Sequence, residues 1–180
     1  MNEQAIEAWR KKVGLSEAAR NGTIAARRGT RFHQLCEDYL NNHDVDSKLY
    51  DFNDALNFKI LKPLLDDYID NIHLQEVRLH SDYLQMAGTV DCVAEWKGKL
   101  AIIDFKTAKK AKDKSWITNY FCQAASYAIM YEERFKIPIP RIVILISVDD
   151  DEPQIFEEKR DNFVGKLLDV RQQYRDRHGI

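Results

Sequence analysis

The chain is 180 residues long, 44% apolar and 31% charged, with a formal net charge of -2. That length suits one domain with a sizeable core, and the composition excludes disordered and collagen-like chains. The near-neutral total excludes a protein that coats nucleic acid by bulk charge.

Asn2–Lys12 reads as a first helix. Ile24–Asn41 reads as a second, because Phe32, Leu35, Cys36, Tyr39 and Leu40 recur at helical spacing. His43–Ser47 reads as a loop. Asp54–Ile69 is again helical in pattern, with Pro63 as a kink or boundary. The pattern then changes to short runs of Val, Ile, Leu and aromatics, which predict strands over His73–Tyr83, Met86–Trp96 and Lys99–Lys106. Lys97-Gly98 supplies a tight turn between the last two. Trp116–Phe135 returns to helical spacing and ends near Pro138 and Pro140. Arg141–Val148, RIVILISV, predicts a strand buried on both faces. Asp161–Arg177 closes as an amphipathic helix. The order α-β-β-β-α-β-α after the N-terminal helices implies an α/β fold, a mixed sheet with helices on its faces.

Cys36, Cys92 and Cys122 include no C-x-x-C pair, so neither a disulfide framework nor a four-cysteine cluster is expected. No apolar run reaches the ~18 residues of a membrane span. The start, MNEQAIEAWRKK, is too polar for a signal peptide, so a reducing intracellular setting without a membrane partner is expected. Charge is uneven along the chain. Lys97–Lys114 carries seven lysines against two aspartates, and Asp149–Glu158 carries six acids and no base. The lysines are either a solvated face or a local basic strip beside an acidic site. The acidic stretch reads first as a solvent-exposed turn, with a partner surface or a substrate-excluding rim as the alternatives.

The chemistry concentrates in Gly88-Thr89-Val90-Asp91 and Ile102-Ile103-Asp104-Phe105-Lys106. Strand alternation points Asp104 and Lys106 one way, and Ile103 and Phe105 the other. A hairpin closed at Lys97-Gly98 pairs residues whose numbers sum to 195, which sets Asp91 opposite Asp104. Opposed residues have Cβ atoms roughly 4.5–5.5 Å apart. Two carboxylates at that spacing repel unless a cation lies between them. A hard divalent ion such as Mg²⁺ accepts one or two carboxylates and keeps water and phosphate oxygens as its other ligands. Lys106 at the rim can orient the attacking water or meet negative charge on phosphate. The bland alternative is an Asp–Asp–Lys cluster on an exposed sheet face.

His33 and Glu37 share one helix face in Gly29-Thr30-Arg31-Phe32-His33 and its continuation. His33 is either structural or a further ligand, one suited to Mn²⁺ more than Mg²⁺. Gln123 and Tyr127 lie one turn apart on the later helix, in a stripe with Trp116, Tyr120 and Tyr131. An amide in such a stripe needs a hydrogen-bond partner. Glu76, on the first strand, is either a site acid or a partner of Arg78.

These residues resemble the PD-(D/E)XK nuclease superfamily, in particular its RecB-like exonuclease branch. That branch carries a GTxxH helix, a GxxD strand, a DxK strand and a QxxxY helix in order, matched here by Gly29–His33, Gly88–Asp91, Asp104–Lys106 and Gln123–Tyr127. The chain is similar to small single-strand exonucleases of phage and mitochondrial genome-maintenance type, which have IDFKT at the same place. The resemblance implies a restriction-endonuclease-like core (α-β-β-β-α-β) with a mixed central sheet, preceded by N-terminal helices. It implies a single nuclease domain over 1–180, with a helical arm at 1–48 and the core at 49–180. It implies Asp91 and Asp104 as metal ligands, with His33 and the Phe105 carbonyl as further ligands, and Lys106 as the catalytic lysine. One or two Mg²⁺ or Mn²⁺ ions and no iron–sulfur cluster follow. Gln123 and Tyr127, with Glu37 and Glu76, would support the site or contact DNA. Arg28, Arg31, Lys109 and Lys110 would track the backbone of DNA, expected to be single-stranded, and Trp116, Tyr120 or Phe121 would stack its bases. The expected activity is a metal-dependent DNA exonuclease acting in phage-type replication, recombination or degradation. A structure-specific endonuclease of the same fold, or a non-catalytic nucleic-acid-binding module, stands as the alternative.

Overall fold

The computed structural model describes residues 3–46 and 52–179. The expected arm–core boundary at 48–49 lies outside them, as do Asn2 and Ser47. In chain order the elements are α1 (Glu3–Val13), α2 (Leu15–Leu40), α3 (Phe52–Tyr68), β1 (Ile69–Ser81), β2 (Met86–Trp96), β3 (Lys99–Ala108), a 3₁₀ turn (Lys114–Ile117), α4 (Thr118–Phe135), β4 (Arg141–Val148), β5 (Gln154–Lys159) and α5 (Asp161–His178). Among the described residues no helix is long and apolar enough to cross a membrane.

The five strands form one sheet in the order β1-β2-β3-β4-β5. Only β3 and β4 run parallel, joined by the crossover helix α4. Lys97 (φ 51°) and Gly98 (φ 72°) turn the β2–β3 hairpin in the left-handed region that a two-residue loop requires. Cys92 pairs with Ile103 and Val93 with Ile102, the register in which paired numbers sum to 195.

Strand alternation divides the core between two faces. Ile102, Ile142, Ile144 and Ile146 pack beneath Phe121, Ala124, Ala128 and Tyr131 of α4. Ile103, Phe105, Val143 and Leu145 pack beneath Phe32, Leu35 and Cys36 of α2 and Phe58, Leu61 and Leu65 of α3. Every β4 residue after Arg141 is buried, as a strand covered on both sides must be. The first half of α2 is different. At 1.5 Å per residue, 26 residues span about 39 Å. Only Ala18 is buried before Phe32, so that half stands off the sheet.

Three expectations need correction. Helix α3 runs through Pro63 to Tyr68, so of the two expected roles, kink or boundary, the proline is not a boundary. Helix α2 begins at Leu15, nine residues before the expected Ile24. Residues 154–158 of the acidic stretch are not a turn but lie in the edge strand β5, antiparallel to β4. Its Ile155 and Phe156 reach opposite cores. Its acids are neutralised from outside the strand, Glu157 by Lys97 at 2.6 Å and Glu158 by Lys114. Those two lysines therefore belong to the sheet edge and not to a free basic strip.

Asp149, just past β4, is a clamp rather than a surface acid. It takes both terminal nitrogens of Arg28 on α2 and a 3.0 Å hydrogen bond from Asn57 on α3. Replacing it leaves the buried Asn57 and the half-buried Arg28 without their acceptor, so Asp149→Ala should cost about 1–3 kcal/mol in urea unfolding. An unchanged midpoint would contradict the clamp.

Candidate metal and catalytic site

The site forms where the β2–β3 ladder stops. Beyond Cys92–Ile103 the next facing residues are Asp91 and Asp104. Asp91 turns its carboxylate into the missing rung, and its Oδ2 accepts the Phe105 N–H at 2.8 Å. On the other side, β1 pairs Gln75 with Cys92 and Val77 with Val90, leaving Glu76 between them beside Asp91. Glu76 has φ 48°, a left-handed conformation that costs a non-glycine residue on the order of 1 kcal/mol.

Helix α2 supplies His33. Its Nε2–H donates to the Phe105 carbonyl at 2.8 Å. Its Nδ1 lies 3.6 Å from Glu76 Oε1 and 3.5 Å from Asp91 Oδ1. One ligand-type atom each from His33, Glu76 and Asp91 falls within 4.8 Å of the others. The Phe105 carbonyl anchors His33 here and keeps a second lone pair.

Asp104 stands on the α4 side of β3 and is 1% exposed. Its neighbour is Lys106, whose Nζ is 2.5 Å from Oδ2. No directed hydrogen bond reaches either carboxylate oxygen among the described residues. A buried carboxylate normally gathers several donors. Lys106 in turn lies over the Tyr120 ring, 5.3 Å from its centroid.

Burial, and then the charge of Asp104, pushes Asp91 up to about 7. Burial pushes Asp104 up as well, against the pull of Lys106. Burial opposes the His33 imidazolium, but the Glu76 hydrogen bond and the Asp91 charge hold it above its ordinary value. Burial opposes the Lys106 ammonium too, and Asp104 followed by Asp91 keeps it above its ordinary value. The arrangement is short of positive charge. The clustered donors, His33, Glu76 and Asp91, are two carboxylates and an imidazole, a hard set that fits a divalent ion; Asp104 faces Asp91 from outside that group.

The remaining predicted residues divide. Gln123 is exposed, and its Nε2 donates to the Tyr127 hydroxyl at 3.1 Å, which supplies the partner its amide needs. The Tyr127 ring lies against Gly88, where an added Cβ would come within 2.8 Å of Cε1. The GxxD and QxxxY motifs are thus in direct contact, a pairing that spacing along the chain does not reveal. Glu37 stays outside the cluster and accepts from Gln34 at 3.2 Å. Arg28 and Arg31 were expected on a backbone-tracking surface. The structure commits Arg28 to Asp149, and Arg31 to Asp54 at 2.7 Å. Lys109, Lys110 and Trp116 are exposed in the segment that follows β3. The Lys106–Tyr120 contact was not anticipated, since three tyrosines share α4 and aromatic spacing alone does not select one.

No protein-family model matches the chain. Over 162 residues it is 30% identical to mitochondrial genome maintenance exonuclease 1 of Xenopus tropicalis, covering 84% of this chain and 46% of that protein. The human protein of the same name is 26% identical over 162 residues, covering 82% and 45%. The chain is homologous to these exonucleases. It spans less than half the length of each. The crystal structure of a candidate exonuclease from Eubacterium rectale superposes with a TM-score of 0.56 at 10% identity, covering 83% of this chain and 65% of that one, so the two share a fold. Kinship and fold agree with the PD-(D/E)XK resemblance in the sequence.

Two consequences can be measured. Asp91 rises from 3.8 in the open chain to about 7 in the fold, so its contribution is complete below about pH 4 and is lost as pH rises through 7. His33, also raised, acts in the same direction. The melting temperature of the metal-free protein should therefore fall between about pH 5 and pH 8, and Asp91→Asn should flatten that slope. A melting temperature that rises across the window would contradict it. Gly88→Ala should cost about 1–3 kcal/mol by urea unfolding, because the Tyr127 ring must move. An unaltered midpoint would show that the ring yields freely.

Proposed function

We propose that the chain is a divalent-metal-dependent DNA exonuclease of the RecB-like branch, hydrolysing phosphodiester bonds from single-stranded ends. The observation that carries the proposal is the Asp104 carboxylate, 1% exposed and short of donors, with Lys106 on one oxygen and Asp91 facing it. The names of the homologues support exonucleolytic chemistry and DNA as substrate.

Asp91 and Asp104, with His33 and Glu76 beside them, would hold one or two ions. Bound there, Mg²⁺ or Mn²⁺ supplies Lewis-acid neutralisation of phosphate charge and a lowered pKa for the attacking water. Phe105 contributes its N–H to Asp91 and its carbonyl to His33, so the backbone of β3 fixes both side chains. The bond at Nε2 leaves Nδ1 of neutral His33 as the atom turned towards Glu76 and Asp91. Lys106 stays cationic because two aspartates favour its charge. Its ammonium donates to the negative charge that develops on the phosphate as the bond breaks. Lys109 and Lys110 lie three and four residues beyond Lys106 and would steer the incoming backbone.

End-labelled linear and circular single strands, digested with Mg²⁺ or Mn²⁺, test this. The wild type should degrade the linear strand and leave the circle intact. Asp104→Asn and Lys106→Ala should each lose roughly 10²-fold or more in rate while keeping the wild-type circular dichroism spectrum. A nicked circle would assign an endonuclease. Binding without product under any metal would assign a non-catalytic module. Full activity in either variant would refute the residue roles.

A further inference from the structure

A cavity of about 650 Å³ opens between the 3₁₀ turn, α4, α5 and the start of β2. It is not the metal site, but it shares a wall with it. Gln123 and Tyr127 line the cavity, and Tyr127 lies close enough to Asp104, Asp91 and Lys106 to feel their charges. Its floor is apolar and includes Met130. At its mouth stands Trp116, 63% exposed, a large aromatic surface that the fold itself does not use. Two polar side chains on the rim are unengaged. Asn119 makes no side-chain hydrogen bond and Lys166 makes no ion pair among the described residues.

We infer that this cavity is a subsite for an unpaired nucleobase of the strand being degraded, with Trp116 as its stacking platform. The inference rests on the proposed nuclease function and deepens it. The chemistry favours one occupant. An aromatic face beside an apolar floor takes the π-face of any base, which suits an enzyme that must tolerate every sequence. An unengaged amide offers both a donor and an acceptor to a base edge. An unpaired ammonium complements the phosphate attached to that base. A volume in the range of small-ligand sites accommodates a nucleotide. A base pair would bring a second strand against Trp116, so the subsite also selects for single strands. It would hold a nucleotide beside the reacting one, since Gln123 and Tyr127 separate the two sites.

The test is equilibrium binding in EDTA, read by fluorescence anisotropy of a labelled single strand. One abasic residue is walked along the strand, and wild type is compared with Trp116→Ala, Trp116→Phe and Asn119→Ala. Losing one stacked base should weaken wild-type binding roughly 5- to 100-fold at one or two positions and little elsewhere. Trp116→Ala should weaken the intact strand by a similar factor and abolish the abasic effect at those positions, while Trp116→Phe restores most of it. Asn119→Ala should weaken the intact strand less than Trp116→Ala does. An abasic walk without effect in wild type, or one that persists in full in Trp116→Ala, overturns the inference. A sedimentation coefficient that drops in Trp116→Ala also overturns it, by assigning the cavity to a second copy of the chain. Digestion of the same strands with Mn²⁺ reads the nuclease reading separately: no cleavage with a positive abasic walk would sink that reading and leave the base subsite standing.

Discussion

Two acidic side chains meet at the end of a hairpin, and the surroundings supply too little positive charge for both. Asp104 is closed beneath α4 with Lys106 on one carboxylate oxygen, and Asp91 fills a backbone rung against Phe105. A carboxylate in low dielectric is driven towards its neutral form unless charge or donors oppose it. Here the second carboxylate makes matters worse, and the result is an Asp91 that titrates near neutrality. A fold that retains such an arrangement carries a local instability that a bound cation would relieve. The rest of the structure holds this arrangement in place: the tight turn sets the register, β4 locks β3 from the other side, and the helices bury both faces.

The supporting contacts are shared between motifs. Phe105 serves Asp91 with its N–H and His33 with its carbonyl, so displacing β3 disturbs both. Gly88 leaves room for the Tyr127 ring, whose hydroxyl accepts from Gln123. Lys106 is steadied by Asp104 and by the Tyr120 ring. The helical layers are tied to the same end of the sheet, α2 and α3 through Asp149 and through the Arg31–Asp54 pair. The site is therefore rigid where charge must be positioned. Trp116, Lys109 and Lys110 stay exposed in the segment that follows β3.

Most of this was legible in the sequence because it depends on local rules. A two-residue turn fixes a register, a register places Asp91 against Asp104, and alternation sends Lys106 to the same side. The β-branched run of Arg141–Val148 announces a buried strand by composition alone. What was not legible depends on distant partners. Arg28 and Asp149 are 121 positions apart, and nothing in either neighbourhood marks them as a pair. The strand at Gln154–Lys159 is disguised by its acids, which become tolerable at a sheet edge only because Lys97 and Lys114 arrive from elsewhere. Glu76 left two readings open, and the left-handed backbone that sets it beside His33 is a tertiary outcome. Pro63 lies inside a helix that local rules allow either to kink or to stop there.

The most direct test of the cation pocket is calorimetric titration of Mn²⁺ into the metal-free protein at about pH 7, repeated in two buffers of different ionisation enthalpy. A pocket built on a carboxylate that is half protonated there should bind the ion with release of protons, so the observed heats should differ between buffers. Asp104→Asn should lose the binding. Heats independent of buffer together with undiminished binding in Asp104→Asn would contradict the account.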